Sequence, residues 1–362
     1  LELEAALRAH DAIPVAVGSG TLNDLTKLTA HRCQRPYMVV ATAASMDGYA
    51  AFGAGITRDG FKRTLACPAP RAILADLDVL AAAPPHMAAW GYADLLGKIT
   101  AGADWLIADT LEVESLVSSV WTMVQSSLRE WAGQPERLHA GDRQAIEGLV
   151  QGLIMTGLAM QAMKSSRPAS GSEHQFSHLW EMEGLTHKGE PVSHGFKVGI
   201  GSVASAALYE KLLERDFDDL DIPAMCAAWP SPQELEQTVR QSHPLPELVE
   251  KAAEESLAKH PTSEQLARRL PRLRERWPEL RERLRSQLMT AGWLRQMLKA
   301  ADCPGDPANI GLTLPRLKAS YPLARQIRRR YTVLDLAAEV GCLGECVDQV
   351  FAPGGFWPVA GA

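Results

Sequence analysis

The sequence predicts an α/β plus all-α fold: an N-terminally incomplete Rossmann-like domain over residues 1–83, followed by a larger all-helical domain over residues 84–362. Three observations predict it. Short apolar runs of strand length occur at Ile13–Val17, Tyr37–Ala41 and Arg71–Asp76, as buried parallel strands require. The first run flows into Gly18-Ser19-Gly20-Thr21 and then a helical pattern from Leu22 to Leu28. That strand–turn–helix order aims backbone N–H groups and a helix N-terminus at a phosphate, although it also serves as a plain tight turn. Beyond Pro84-Pro85, a boundary signal, the pattern turns helical almost to the end.

Composition narrows the class. With 362 residues, 46% apolar and 22% charged, the chain has the make-up of an ordinary globular protein with room for two domains. A net charge of −6 gives no reason to expect nucleic acid as partner. No apolar run is long enough for a membrane span, and the opening Leu-Glu-Leu-Glu lacks a signal-peptide pattern. The six cysteines are scattered without paired metal spacing, so a reducing cytoplasm is expected.

Within the helical part, one long helix is expected over Val113–Trp131 and another over Gln144–Met163. Residues 264–299 hold nine arginines and one lysine against four glutamates, but Leu266, Leu270, Leu273, Trp277, Leu280 and Leu284 interleave them. That spacing predicts an amphipathic helix or two with a solvated basic face, broken near Pro271 and Pro278. Ala324–Val350 reads as helical again, and 351–362 as a surface tail.

The stretch Gly171–Gly201 carries His174, His178 and His194 beside turn-forming residues. His174 and His178 are four apart and share one helix face. One aspartate and two histidines suit a divalent cation while leaving a position open for substrate or water. Asp94, His174 and His194 are the candidates, each read as lying at a helix or turn start. Asp47-Gly48, after the strand at 37–41, is either a turn or part of a ligand crevice at the strand's C-terminal end.

Five ordered motifs, Val17-Gly-Ser-Gly-Thr-Leu-Asn-Asp24, Thr42-Ala-Ala-Ser-Met-Asp-Gly48, Gly91-Tyr-Ala-Asp94, Gly171-Ser-Glu-His-Gln-Phe-Ser-His178 and Ser193-His-Gly195, together resemble the sn-glycerol-1-phosphate dehydrogenase family, bacterial branch. That family lies within the dehydroquinate-synthase-like and iron-containing alcohol dehydrogenase superfamily. The resemblance implies reduction of dihydroxyacetone phosphate to sn-glycerol 1-phosphate with NAD(H) or NADP(H), a step toward phospholipid synthesis, in a homo-oligomer with a dimer favoured. It implies one divalent metal, zinc or nickel, on Asp94, His174 and His194. It makes Asp94 and His178 catalytic, with Asp47, Asp94 and His178 binding substrate. It assigns Gly18, Ser19, Gly20, Thr21, Leu22, Asn23 and Asp24 to the cofactor pyrophosphate, and Thr42, Ala43, Ala44 and Ser45 to the nicotinamide side. Where the family often has a cofactor-contacting serine, this chain has Ala51.

Lys98, Arg58 and Lys197 are the cations nearest the motifs for a substrate phosphate, each weighed against a plain surface charge. The chain opens with Leu1, and about three strands stand where a doubly wound domain has about five or six. The expectation is therefore a shortened front end that binds cofactor poorly beside an intact metal site. Two other readings stay open: a polyol dehydrogenase acting on unphosphorylated substrate, and a non-catalytic remnant.

Overall fold

A computed structural model describes residues 2–58, 61–243 and 245–359. Helix α1 (Glu2–Arg8) precedes strand β1 (Val15–Gly18), helix α2 (Gly20–Arg32) and strand β2 (Met38–Ala41). A hairpin of β3 (Ala54–Arg58) and β4 (Phe61–Leu65), absent from the sequence reading, leads to β5 (Ala72–Ala75). The sheet is parallel in the order β1–β2–β5, with Val15 opposite Met38 and Met38 opposite Ala72. Ala16, Val39 and Ala41 point into the core. Val15, Val17 and Leu74 stand on the other face and are about half exposed, at 51%, 59% and 48%. The expectation of strands buried on both faces thus holds for one face only.

The loop after β2 is fixed by a buried cation. Lys27 Nζ on α2 donates to the carbonyls of Gly48, Ala51 and Gly53 at 3.1, 2.9 and 2.9 Å. Asn23 Nδ2 adds a bond to Gly48 O, and Tyr37 OH donates to Asn23 Oδ1. Three carbonyl dipoles replace the water an ammonium would otherwise need. The segment carrying Asp47 is thereby set rigidly.

Pro85 opens the helical part as the first residue of α3 (Pro85–Thr110), the axis around which the rest packs. Residues 91–108 of α3 are almost all buried. Around it lie α4 (Arg143–Met163), α5 (Ser172–Met182), α6 (His194–Leu213) and α7 (Ser263–Gln287), followed by α8 (Leu314–Gln326) and α9 (Val333–Glu339). Two close approaches need glycine. A Cβ on Gly91 would sit 2.0 Å from Ala44 O, where the loop after β2 meets α3. A Cβ on Gly195 would sit 1.9 Å from Trp90 O, where α6 meets the same helix. Among the described residues no helix is long and apolar enough to cross a membrane.

Three helix expectations change. The predicted helix over Val113–Trp131 divides into Ser118–Gln125 and Leu128–Trp131. Asp109 Oδ1 accepts from Leu116 N and Trp105 Nε1 donates to Ser115 O, which holds the preceding residues as a loop. The helix α7 is not broken: it continues through Pro271 and Pro278. Its six apolar side chains from Leu266 to Leu284 are all buried, and their transfer from water outweighs about 3 kcal/mol per internal proline. The region Ala324–Val350 is interrupted by a loop at residues 327–332 between α8 and α9. At the C-terminus Trp357 is buried rather than lying on the surface.

Because the Pro278 ring is exposed and blocks a bond to Arg274 O, Pro278→Ala is expected to raise stability by about 1–3 kcal/mol in urea unfolding. A lower midpoint for the variant would show instead that the ring is part of the packing.

Candidate metal centre

Three helices deliver the polar groups. Asp94 lies well inside α3, His174 is the third residue of α5, and His194 is the first residue of α6. The expectation that all three sit at element starts therefore fails for Asp94, which the core itself holds. One ligand atom from each of the three lies within 4.8 Å of the others. The His174 and His194 rings are 5.3 Å apart, and His178 completes a triangle at 6.1 and 6.0 Å from them.

Each donor is oriented by a neighbour. His174 Nδ1 lies 2.8 Å from Glu173 Oε1, which fixes the ring so that Nε2 faces Asp94 Oδ1 at 3.5 Å. Glu173 is itself fully buried, accepting from Gly171 N and from Thr100 Oγ1. His194 Nδ1 is turned toward Ser177 Oγ at 3.4 Å. Asp104 Oδ2 accepts from Ser172 N at 2.6 Å, and its Oδ1 from Tyr209 OH and Val333 N. Asp104 and Glu173 thus satisfy the backbone donors that open α5, where Gly171 has no side chain to cap them.

Lys98 is the main surprise among the cations. Far from being a surface charge, it is fully buried, with Nζ 2.7 Å from Asp94 Oδ1 and 2.8 Å from Asp47 Oδ2. Burial alone would raise the Asp94 carboxyl, but Lys98 and the histidines hold it far below the usual range. Burial, then repulsion from Asp94, pushes Asp47 upward. Among the described residues, the buried Asp94 Oδ2 has no hydrogen-bond partner. An ionised carboxylate with one satisfied and one orphaned oxygen, beside two oriented imidazoles, fits a divalent cation.

The other predicted residues are placed as follows. Asp47 joins the cluster through Lys98. His178 stands at the rim, with Nε2 3.3 Å from Arg328 Nη1. Gly18 to Asp24 form the turn and first turn of α2, whose N-cap Ser19 makes no side-chain capping bond, so its leading N–H groups suit a phosphate. Asn23 and Asp24 have structural tasks, since Asp24 Oδ2 accepts from Gly55 N. Thr42, Ala43, Ala44 and Ser45 leave the C-terminal end of β2 and run against α3 at Gly91. Lys197 is buried on α6, three residues after His194. The Arg58 side chain lies outside the described residues. A separate cleft of about 670 Å³ between Ala75, Trp131 and Ile154 contains none of the candidate ligands.

Residues 1–84 match the family model described as iron-containing alcohol dehydrogenase. The glycerol-1-phosphate dehydrogenase [NAD(P)+] of Halalkalibacterium halodurans is 41% identical over 196 residues, 54% of this chain and 49% of that one. That of Bacillus subtilis is 40% identical over 204 residues, 56% and 52% of the two chains. Pyrococcus furiosus has one that is 35% identical over 195 residues, 54% and 55%. The chain thus spans about half the length of the curated relatives it matches. Among solved structures, glycerol dehydrogenase from Schizosaccharomyces pombe matches with a TM-score of 0.54 at 15% identity, covering 96% of this chain and 73% of that one. Maleylacetate reductase from Agrobacterium tumefaciens gives 0.51 at 16% identity, covering 89% and 70%. Residues 1–84 are thus similar to that family's model, and the chain has the fold of these two solved structures, a small parallel sheet joined to a helical part.

Two outcomes follow. Glu173→Gln is expected to weaken binding of added zinc or nickel by about 10- to 100-fold, measured by competition with a chelator, because the ring of His174 loses its anionic partner; undiminished affinity would remove Glu173 from the site. Burial, then Glu173, raises the Asp104 carboxyl from its ordinary 3.8 to about 6. The folded state then holds a proton that the unfolded state has released, so stability is lost as pH rises from about 4 to about 6. Relative to Asp104→Asn, the wild type should lose up to about 3 kcal/mol across that window in melts at each pH. A constant difference would show that Asp104 is ionised throughout.

Proposed function

We propose that this chain reduces dihydroxyacetone phosphate to sn-glycerol 1-phosphate, using NADH or NADPH and one divalent cation. The observation that carries the reading is the buried Asp94 with its orphaned Oδ2 beside His174 and His194. Support comes from relatives at 35–41% identity that are named glycerol-1-phosphate dehydrogenase [NAD(P)+]. Asp94, His174 and His194 would hold the cation, zinc or nickel, which when bound supplies Lewis acidity to a ketone oxygen.

The chain's own residues do the remaining work. Lys98 keeps Asp94 ionised and aimed, while Glu173 sets the tautomer and direction of His174. Asp47, joined to the cluster through Lys98, binds a substrate hydroxyl. His178, at the rim between the ligands and solvent, binds the substrate and moves the proton that a reduced ketone needs. Ser19 to Leu22, at the uncapped start of α2, hold the cofactor pyrophosphate, with Gly18, Asn23 and Asp24 shaping that turn. Thr42 to Ser45 flank the nicotinamide. Residues 1–83 form the cofactor-binding domain and 84–362 the metal- and substrate-binding domain. The product is a glycerophospholipid precursor, made in the cytoplasm by a homodimer.

The test is reduction of dihydroxyacetone phosphate followed by NADH and NADPH absorbance, after chelator treatment and with zinc or nickel added back. Activity should vanish with the metal and return with one of them. His174→Ala should abolish it, as an interaction made at the reacting oxygen supplies several kcal/mol. Turnover of dihydroxyacetone but not its phosphate would make the chain a polyol dehydrogenase. Turnover that survives metal removal would sink the reading.

A further inference from the structure

We propose that Arg328, backed by Arg330, forms a subsite for a phosphomonoester dianion on the His178 side of the metal centre. The inference rests on the reading above for its source of phosphate, the substrate. Its physical basis lies in the loop between α8 and α9, where Arg328, Arg329 and Arg330 follow one another. The middle one turns outward: Arg329 bonds Glu255 and Glu254. Its two neighbours turn the other way, toward the segment 166–170 that precedes the His174 helix.

Arg330 Nη1 donates to Ser170 O at 2.7 Å and Ser166 O at 3.2 Å, and its Nη2 to Ser166 Oγ at 3.1 Å. Among the described residues Arg328 bonds through Nη1 alone, reaching Ser170 Oγ at 3.4 Å and His178 Nε2 at 3.3 Å. Among the described residues neither guanidinium has a carboxylate within 4.0 Å, whereas most arginines of the chain do. Arg167, fully buried nearby, adds a third positive charge, answered by Glu114. Burial, then repulsion by Arg328 and Arg167, draws Arg330 down to about 9. Glu114 and Glu173 offset this only in part.

Half-buried cations gathered on neutral acceptors are poorly compensated, and a dianion is the counter-charge that would relieve them. A guanidinium can only donate, so His178 offers Arg328 the lone pair of Nε2 and carries its own proton on Nδ1. Arg328 has Nε and Nη2 left for the fork geometry that suits phosphate oxygens. Its contact with His178, itself one helical turn from His174, puts that fork beside the place where a three-carbon substrate would meet the cation.

The experiment compares wild type, Arg328→Gln, Arg328→Lys and Arg329→Gln, all metal-loaded, in two assays. The first is the ratio of kcat/KM for dihydroxyacetone phosphate to that for dihydroxyacetone. It should fall about 10- to 100-fold in Arg328→Gln, mostly through KM, recover in part with Lys, and stay put in Arg329→Gln. The second is calorimetric titration with inorganic phosphate, which needs no turnover: it should bind wild type and not Arg328→Gln. Failure of turnover with either substrate, with phosphate binding intact and dependent on Arg328, would sink the dehydrogenase reading and keep the subsite. An unchanged ratio and unchanged phosphate binding in Arg328→Gln would overturn the subsite. A shift in NADPH-over-NADH preference with the substrate ratio unchanged would assign Arg328 to the cofactor phosphate and equally overturn it.

Discussion

The contact on which the structure depends is the bridge from Lys98 to Asp47 and Asp94. Asp47 comes from the loop after β2 and Asp94 from the central helix, so one ammonium ties the α/β part of the chain to the helical part. Removing one member of such a buried set leaves a charge without compensation, a loss of about 3–5 kcal/mol in comparable cases. The same bridge has a chemical role. It lets two carboxylates approach one another while keeping Asp94 ionised, and it uses only one Asp94 oxygen. Among the described residues the other has no hydrogen-bond partner.

Around that bridge the polar groups form layers. Glu173 sits behind His174, Asp104 stands behind the backbone that opens the His174 helix, and Tyr209 and Val333 N stand behind Asp104. Thr332 Oγ1 donates to Gln175, and Gln175 in turn donates to Arg330 O. The loop with the three arginines is therefore wired into the helix that bears His174 and His178. A change in that loop would reach the imidazoles through the side chains of Gln175 and Arg328.

The strands, the turn before α2 and the helix carrying two histidines were legible because each rests on local rules: apolar run length, glycine turns and spacing on one face. Asp94, His174 and His194 were legible only as ordered motifs, since nothing local says that α3, α5 and α6 converge. Lys98 was misread because a lysine on a helix is usually solvated, and its two carboxylate partners lie 51 and 4 residues away in sequence. Glu173 could have been found: a carboxylate adjoining a candidate histidine is a common orienting partner. Arg328 carried a weaker signal, a triple arginine whose alternation sends the middle residue to the opposite side. The prolines of α7 misled because a local breaker was weighed without the apolar stripe that the core buries.

Asp94 lies inside a helix that is covered on nearly every side, which gives the centre an unusual source of tuning. There is no loop of its own to relax around a larger or smaller ion. The spacing of the candidate ligands is inherited from helix packing, such as Val198 against Gly97 and Leu298 against Gly199. In a centre held this way, ion preference would be a property of aliphatic fit. Selection could then retune such a centre from one cation to another by adding or removing methyl groups that would never touch an ion.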